Sequence, residues 1–256
     1  PERRWLRWER ILYITILVLA VASRFVILGA RVISHDESIH TKFSWNLYAG
    51  LGFQHNPMMH GPSLFEVTAL NYHLFGVSDF VARIFPALAG VALVMSPLLF
   101  RKWLGRAGSA AAAALLLISP SISYYSRYIR HDVPLMLTAV LLLWSILRYL
   151  DEGEGRWLIW IAAFFSLMHT TMEASYIYVA IIVALLAIPF ALQIIRTPWG
   201  DPRLLKFLWI IVGVLVVAAV VFALSLLGAS TQQQTLDESG NTSVTHVTLP
   251  VWGSAA

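Results

Sequence analysis

Residues 11–30 read ILYITILVLAVASRFVILGA, and residues 34–38, just beyond, read SHDES. The first stretch has the length and apolarity of a membrane-spanning helix, about 20 residues. The second sets two adjacent acids, Asp36 and Glu37, beside that span. Charge next to a bilayer is costly and is retained where it is used. The acids open a segment rich in His, Trp, Tyr and Pro that runs to Asn56-Pro57-Met58-Met59-His60-Gly61-Pro62. This order predicts a helical membrane protein with a functional loop on one face.

Composition supports the same class. The 256 residues are 58% hydrophobic and 12% charged, with a mean hydropathy of +0.71. A soluble domain carries about a quarter charged residues, so the fold expected is an all-α polytopic transmembrane bundle. Cysteine is absent, which excludes disulfides, a thiolate nucleophile and cysteine metal sites. The net charge of +4 reads as loop lysines and arginines obeying the positive-inside rule rather than as nucleic-acid binding. Residues 1–10 followed by an apolar run imitate a signal peptide. The run is too long for one and lacks a clear cleavage site, so it reads as an anchor. The start at Pro1 and the polar end suggest a piece of a longer chain.

Seven spans can be drawn: Ile11–Ala30, Phe80–Phe100, Ala107–Ser126, Val133–Leu150, Trp157–Thr170, Ala174–Ile195 and Phe207–Gly228. Residues 1–228 then form one seven-span module, with residues 31–79 as its first outer loop. Residues 229–256 form a polar extracytoplasmic tail, the start of a loop or C-terminal domain. A cytoplasmic N-terminus puts twelve of the 18 basic residues inside: Arg3, Arg4, Arg7, Arg10, Arg101, Lys102, Arg106, Arg148, Arg156, Arg196, Arg203 and Lys206. All eight histidines fall on the outer side. Within the loop, Ser38 to Ala49 predicts an interfacial helix with a stripe of Ile39, Phe43, Leu47 and Tyr48, capped by Ser38 or Ser34. A second short helix is expected over Pro62 to Phe75.

Asp36 and Glu37 are the leading candidates for chemistry, as a general base with a neighbour that orients it or shares a metal. The alternative is an N-cap pair. Arg127, Arg130, His131 and Asp132 lie between the third and fourth spans. They read either as a salt-bridge cluster or as an acid with arginines for an anionic group. Arg83, one turn into the second span, either snorkels or binds a lipid phosphate. His169 and Glu173 sit at the break between the fifth and sixth spans, where they pair or line a cavity. His60 is a further candidate. No spacing matches a zinc motif, but the acids could hold a hard divalent ion such as Mg2+ or Mn2+ through Asp36 and Glu37.

At these residues the chain resembles the GT-C class of membrane glycosyltransferases, such as the protein O-mannosyltransferases and the lipid A aminoarabinose transferases. The elements that match, in order, are Asp36-Glu37, His60-Gly61-Pro62, the Gly76-x-Ser78…Arg83…Ala87-x-x-Gly90 pattern, and an arginine-rich segment ending in Asp132. It looks closest to the prokaryotic flippase-activity-associated family of archaeal N-glycosylation. The resemblance covers about residues 10–227. It implies a multi-pass prokaryotic cell-membrane enzyme, mannosyltransferase-like, that transfers a sugar with inversion at the extracytoplasmic face. The donor would be a polyprenyl-phosphate sugar and the acceptor a glycan, lipid or protein. Asp36 would be the base or a metal-linked acid, Arg83 would lie near the donor phosphate, and Asp132 would shape the site. Rival readings are a translocation factor for lipid-linked glycans and a non-catalytic subunit of a larger membrane complex.

Overall fold

Helix α1 runs over Glu2–Phe25. Tyr13, Ile16 and Ala20, at helical spacing, form its buried stripe against Val94 and Ala113. The small side chains of Ala20 and Ala113 let backbones approach closely, which is how helices associate where water drives nothing. The Tyr13 hydroxyl meets Ser109 Oγ at 2.8 Å across this contact. The computed structural model describes residues 2–53, 59–196, 202–227, 231–236 and 242–247. They fall into two units, Pro1–Ile188 and Pro189–Ala256.

In the first unit, α2 (His35–Tyr48), α3 (Ser63–Phe75) and α4 (Asp79–Ala82) form the loop that follows α1. Ser34 caps α2 in a reciprocal capping box with Glu37. The helix buries Glu37, His40 and Ser44, whereas Ile39, Phe43, Leu47 and Tyr48 of the expected stripe are only half-buried. A polar face turned inward reflects specific partners for Glu37, described below. Helix α5 (Ile84–Met95) continues through a 3-10 segment (Ser96–Phe100) into α6 (Arg101–Ile118). Gly105, at φ 70°, turns the chain inside α6. Left-handed φ suits glycine, and Ala113 thereby returns to Val94.

The third expected span stops early. Pro120 cannot donate to a helix and disfavours helical backbone before it, so α6 ends at Ile118 and a separate α7 covers Pro120–Tyr125. Helix α8 (Asp132–Glu152) packs on α9 (Arg156–Thr171) through Leu135, Ala139, Leu142 and Met168. Helix α10 covers Ser175–Arg196. Among the described residues, three helical stretches are long and apolar enough to cross a membrane: Ile84–Ile118, broken at Gly105, Asp132–Glu152 and Ser175–Ile194.

The second unit holds α11 (Pro202–Leu227) and a hairpin of β1 (Thr231–Leu236) and β2 (Thr242–Val247). The strands are antiparallel, from Thr231 opposite Val247 to Leu236 opposite Thr242. The other described elements are helical, as the all-α expectation has it. The tail that reads as merely polar is rich in Thr and Val, which fit a pleated strand.

Candidate active site

Glu37 is completely buried and held by two arginines. Arg83 donates from Nε to Oε1 (2.9 Å) and from Nη2 to Oε2 (3.0 Å), and Arg31 Nη2 donates to Oε2 at 2.8 Å. The backbone N–H groups of Ser34 and Ile129 add bonds of 3.2 and 3.3 Å. Burial pushes the Glu37 carboxyl upward, but Arg83 and these N–H groups outweigh it and hold the group below the usual carboxylate range. Arg83 is 1% exposed. Its Nη1 is spent on the carbonyls of Leu28 (3.1 Å) and Arg31 (3.0 Å). Arg83 therefore faces the protein interior rather than a lipid phosphate, and Glu37 is turned away from Asp36. Its pattern partners also do structural work. Ser78 caps α4, Ala87 is fully buried, and a Cβ on Gly90 would lie 2.2 Å from Ser126 Oγ.

Arg127 is likewise engaged, donating to the carbonyls of Ser23 (3.0 Å), Val26 (3.0 Å) and Ile27 (3.3 Å). It thereby bonds carbonyls at and just beyond the end of α1, where a helix leaves its last carbonyls short of intrahelical donors. Arg130 is placed differently. Its Nη1 lies 3.6 Å from Asp36 Oδ2 and its Nε 3.2 Å from Asp132 Oδ2. All three side chains reach solvent, Asp36 most, at 56%. Asp36 and Asp132, far apart in sequence, are thus brought to one cation.

The His60-Gly61-Pro62 stretch is an anchor. Gly61 N–H donates to the Thr171 carbonyl at 3.2 Å, and His131 Nε2–H donates to the Gly61 carbonyl at 3.1 Å. A Cβ on Gly61 would meet the Thr170 carbonyl at 2.0 Å, so only glycine fits against the end of α9. His60 has a left-handed backbone (φ 64°) and donates from Nδ1 to Glu173 Oε2 at 2.8 Å. Such a φ is uncommon outside glycine and tends to occur at functional sites. His131 is buried, edge-on to His40 and to His60. Burial lowers His131 to about 3 and His40 to about 4. His169 stands apart, against Phe165 and Tyr176. The break between α9 and α10 therefore pairs Glu173 with His60 rather than with His169. His55 and Asn56-Pro57-Met58 lie outside the described residues.

Sequence reasoning missed three residues. Arg31 stacks over Tyr124 and Tyr128 (5.3 and 4.9 Å to the ring centres) and remains partly exposed. Tyr125 and Tyr178, with Asp132, Leu135, Met136 and Met172, line a cavity of about 360 Å3. The tyrosine run at 124–128 was a visible signal, while the approach of Tyr178 was not. Among the described residues, no three His, Asp or Glu side chains converge as metal ligands. Glu37 cannot join Asp36 in chelation while two arginines hold it.

The long apolar helices of the chain define a multi-pass membrane protein. The dolichyl-phosphate-mannose-protein mannosyltransferase family matches residues 59–225. The chain belongs to that family, and with it to the GT-C class of membrane glycosyltransferases. Comparison with curated protein sequences found no match. In fold the chain is similar to crystal structures of ArnT from Cupriavidus metallidurans. It matches the apo state with a TM-score of 0.57 at 20% identity, over 83% of this chain and 40% of that one. It matches the form bound to undecaprenyl phosphate with a TM-score of 0.55 at 20% identity, over 66% and 33%. The chain thus spans well under half the length of these proteins.

Proposed function

We propose that the chain forms the membrane portion of a glycosyltransferase moving a sugar from a polyprenyl-phosphate donor to an acceptor hydroxyl. The reaction takes place at the extracytoplasmic face of a prokaryotic cell membrane, in a module of seven spans. The observation that carries this reading is the exposed Asp36–Arg130–Asp132 chain beside the cavity lined by Tyr125 and Tyr178. The family match favours a mannosyl donor. The likeness to a structure holding undecaprenyl phosphate favours a long isoprenoid phosphate.

In this scheme Asp36 takes the proton of the acceptor hydroxyl, whose oxygen attacks the anomeric carbon. The bond to the phosphate oxygen breaks with inversion, and the lipid phosphate departs with the electron pair. A phosphate leaving group needs positive charge rather than a proton, and Arg130 supplies it, with Arg31 as a second cation. Asp132 holds Arg130 in place. His60 and Glu173 contribute to the rim, while Glu37, Arg83, Arg127 and His131 form the frame. A divalent ion such as Mg2+ or Mn2+ would be held by Asp36 and Asp132, the carboxylates open to solvent, and would supply positive charge for the departing phosphate. The prokaryotic flippase-activity-associated family is the narrower assignment we favour.

The test uses proteoliposomes carrying polyprenyl-phosphomannose and a soluble acceptor. Asp36→Asn is expected to abolish product and polyprenyl-phosphate release. A wild-type rate in that variant would remove Asp36 as base. Exposure of lipid-linked sugar without any transfer product would favour the translocation factor instead.

A further inference from the structure

The end of the first unit away from Asp36 carries a second cavity. A rise of about 1.5 Å per residue sets Glu9 about 24 Å from Phe25 along α1, so this cavity is remote from the acidic site. It has a volume of about 320 Å3 and is lined by Glu9, Arg10, Tyr13, Ile14, Leu98 and Arg101. Its lining combines three charged side chains, Glu9, Arg10 and Arg101, with Tyr13, Ile14 and Leu98.

Basic residues at the end of a span follow the positive-inside rule without binding anything. Three observations distinguish this place. Arg101 Nη2 lies 2.8 Å from both oxygens of Glu9 but donates only to Oε2, and the buried Oε1 accepts no hydrogen bond. Arg106 also points at Glu9, with Nε 3.5 Å from Oε2. Two guanidinium groups, those of Arg101 and Arg106, thus face one carboxylate, and Arg10 adds a third cation to the cavity lining, leaving positive charge in excess there. Finally, Trp8 is exposed one turn from the cavity, and Lys102 lies over the Trp103 ring. Tryptophans mark the headgroup level of a bilayer, so the cavity opens where lipid headgroups lie.

An occupant matching this lining has a negative phosphate and acyl chains. We propose that the cavity binds an anionic glycerophospholipid, with its phosphate on Arg10 and Arg101. The chains run over Ile14 and Leu98. Basic pockets between membrane helices bind acidic headgroups by this chemistry. The site is independent of the sugar-transfer reading.

The full chain in nonionic detergent is titrated with dioleoyl-phosphatidylglycerol, dioleoyl-phosphatidylcholine, dioleoyl-phosphatidylethanolamine and inorganic phosphate. Thermal melting and native mass spectrometry provide the readouts. Only phosphatidylglycerol is expected to raise the melting temperature and to remain bound. Arg10→Gln should weaken its binding about fivefold, and Arg10→Lys should largely restore it. Ile14→Trp, which crowds the apolar part of the lining, should weaken it as well. Arg10 and Ile14 are exposed, so lipid-free melting should stay at the wild-type value. Equal stabilisation by phosphatidylcholine, phosphatidylethanolamine or free phosphate overturns the proposal. So does wild-type phosphatidylglycerol affinity in both Arg10→Gln and Ile14→Trp.

Discussion

Removing Arg83 would leave the Glu37 carboxylate buried with Arg31 as its remaining guanidinium partner. Breaking a buried pair from one side costs about 3–5 kcal/mol. Arg83→Met should therefore lower the melting temperature steeply and reduce the yield of folded protein. Arg130 bridges its acids in partial contact with solvent, where such pairs contribute about 0–1 kcal/mol. Arg130→Met should melt within a few degrees of wild type yet lose most sugar transfer. Purification yield, melting and transfer measured on both variants separate the two roles. Equal loss of stability in both would remove the distinction between frame and site. Both arginines are candidates for an anionic group in the sequence-based reading. What separates them is burial, which no single residue announces.

At the scale of elements, the helical, apolar character of the chain is legible in the sequence because hydropathy is a local property. The helix over Ser63–Phe75 and the capping of α2 by Ser34 follow from Pro62 and from the Ser-x-x-Glu spacing. The face that α2 buries does not follow. Its apolar stripe predicted an interfacial helix, and the structure turns Glu37, His40 and Ser44 inward, where Glu37 meets Arg31 and Arg83. Close approaches were equally hidden. Gly90 gives room to Ser126, and Gly61 to Thr170, and neither contact is local in sequence. Gly90→Ala should destabilise by about 1–3 kcal/mol through overpacking. Gly61→Ala should do the same and also disturb the His131 bond to its carbonyl. Melting curves measure both, with Gly76→Ala as a contrast, since a Cβ there meets nothing within 4 Å and only its left-handed φ of 81° opposes the change.

Across the whole molecule, the two buried histidines link stability to pH. His131 and His40 titrate at about 3 and about 4, below the ordinary 6.5, because burial disfavours their charged forms. Between those values and 6.5 the unfolded chain binds more protons than the folded one. Stability therefore rises with pH there and is lost as pH falls below 6.5. The melting temperature in detergent should decline progressively between about pH 6.5 and pH 4, and His40→Phe should flatten the decline. A flat profile in the wild type would mean that both histidines stay exposed.

The sequence by itself determined the membrane class, the loop after the first span and the list of polar residues gathered around it. Hydropathy and helix signals act over short stretches of chain, which makes these features legible. The family's motif order was legible for the same reason. Only the tertiary structure decided how those polar residues are used. It set Asp36 with Arg130 and Asp132 at the solvent, enclosed Glu37 between Arg31 and Arg83, and gave Arg127 to the end of α1. Those assignments depend on which partner each charge meets across many intervening residues. In a low-dielectric bundle, that partner outweighs any local preference.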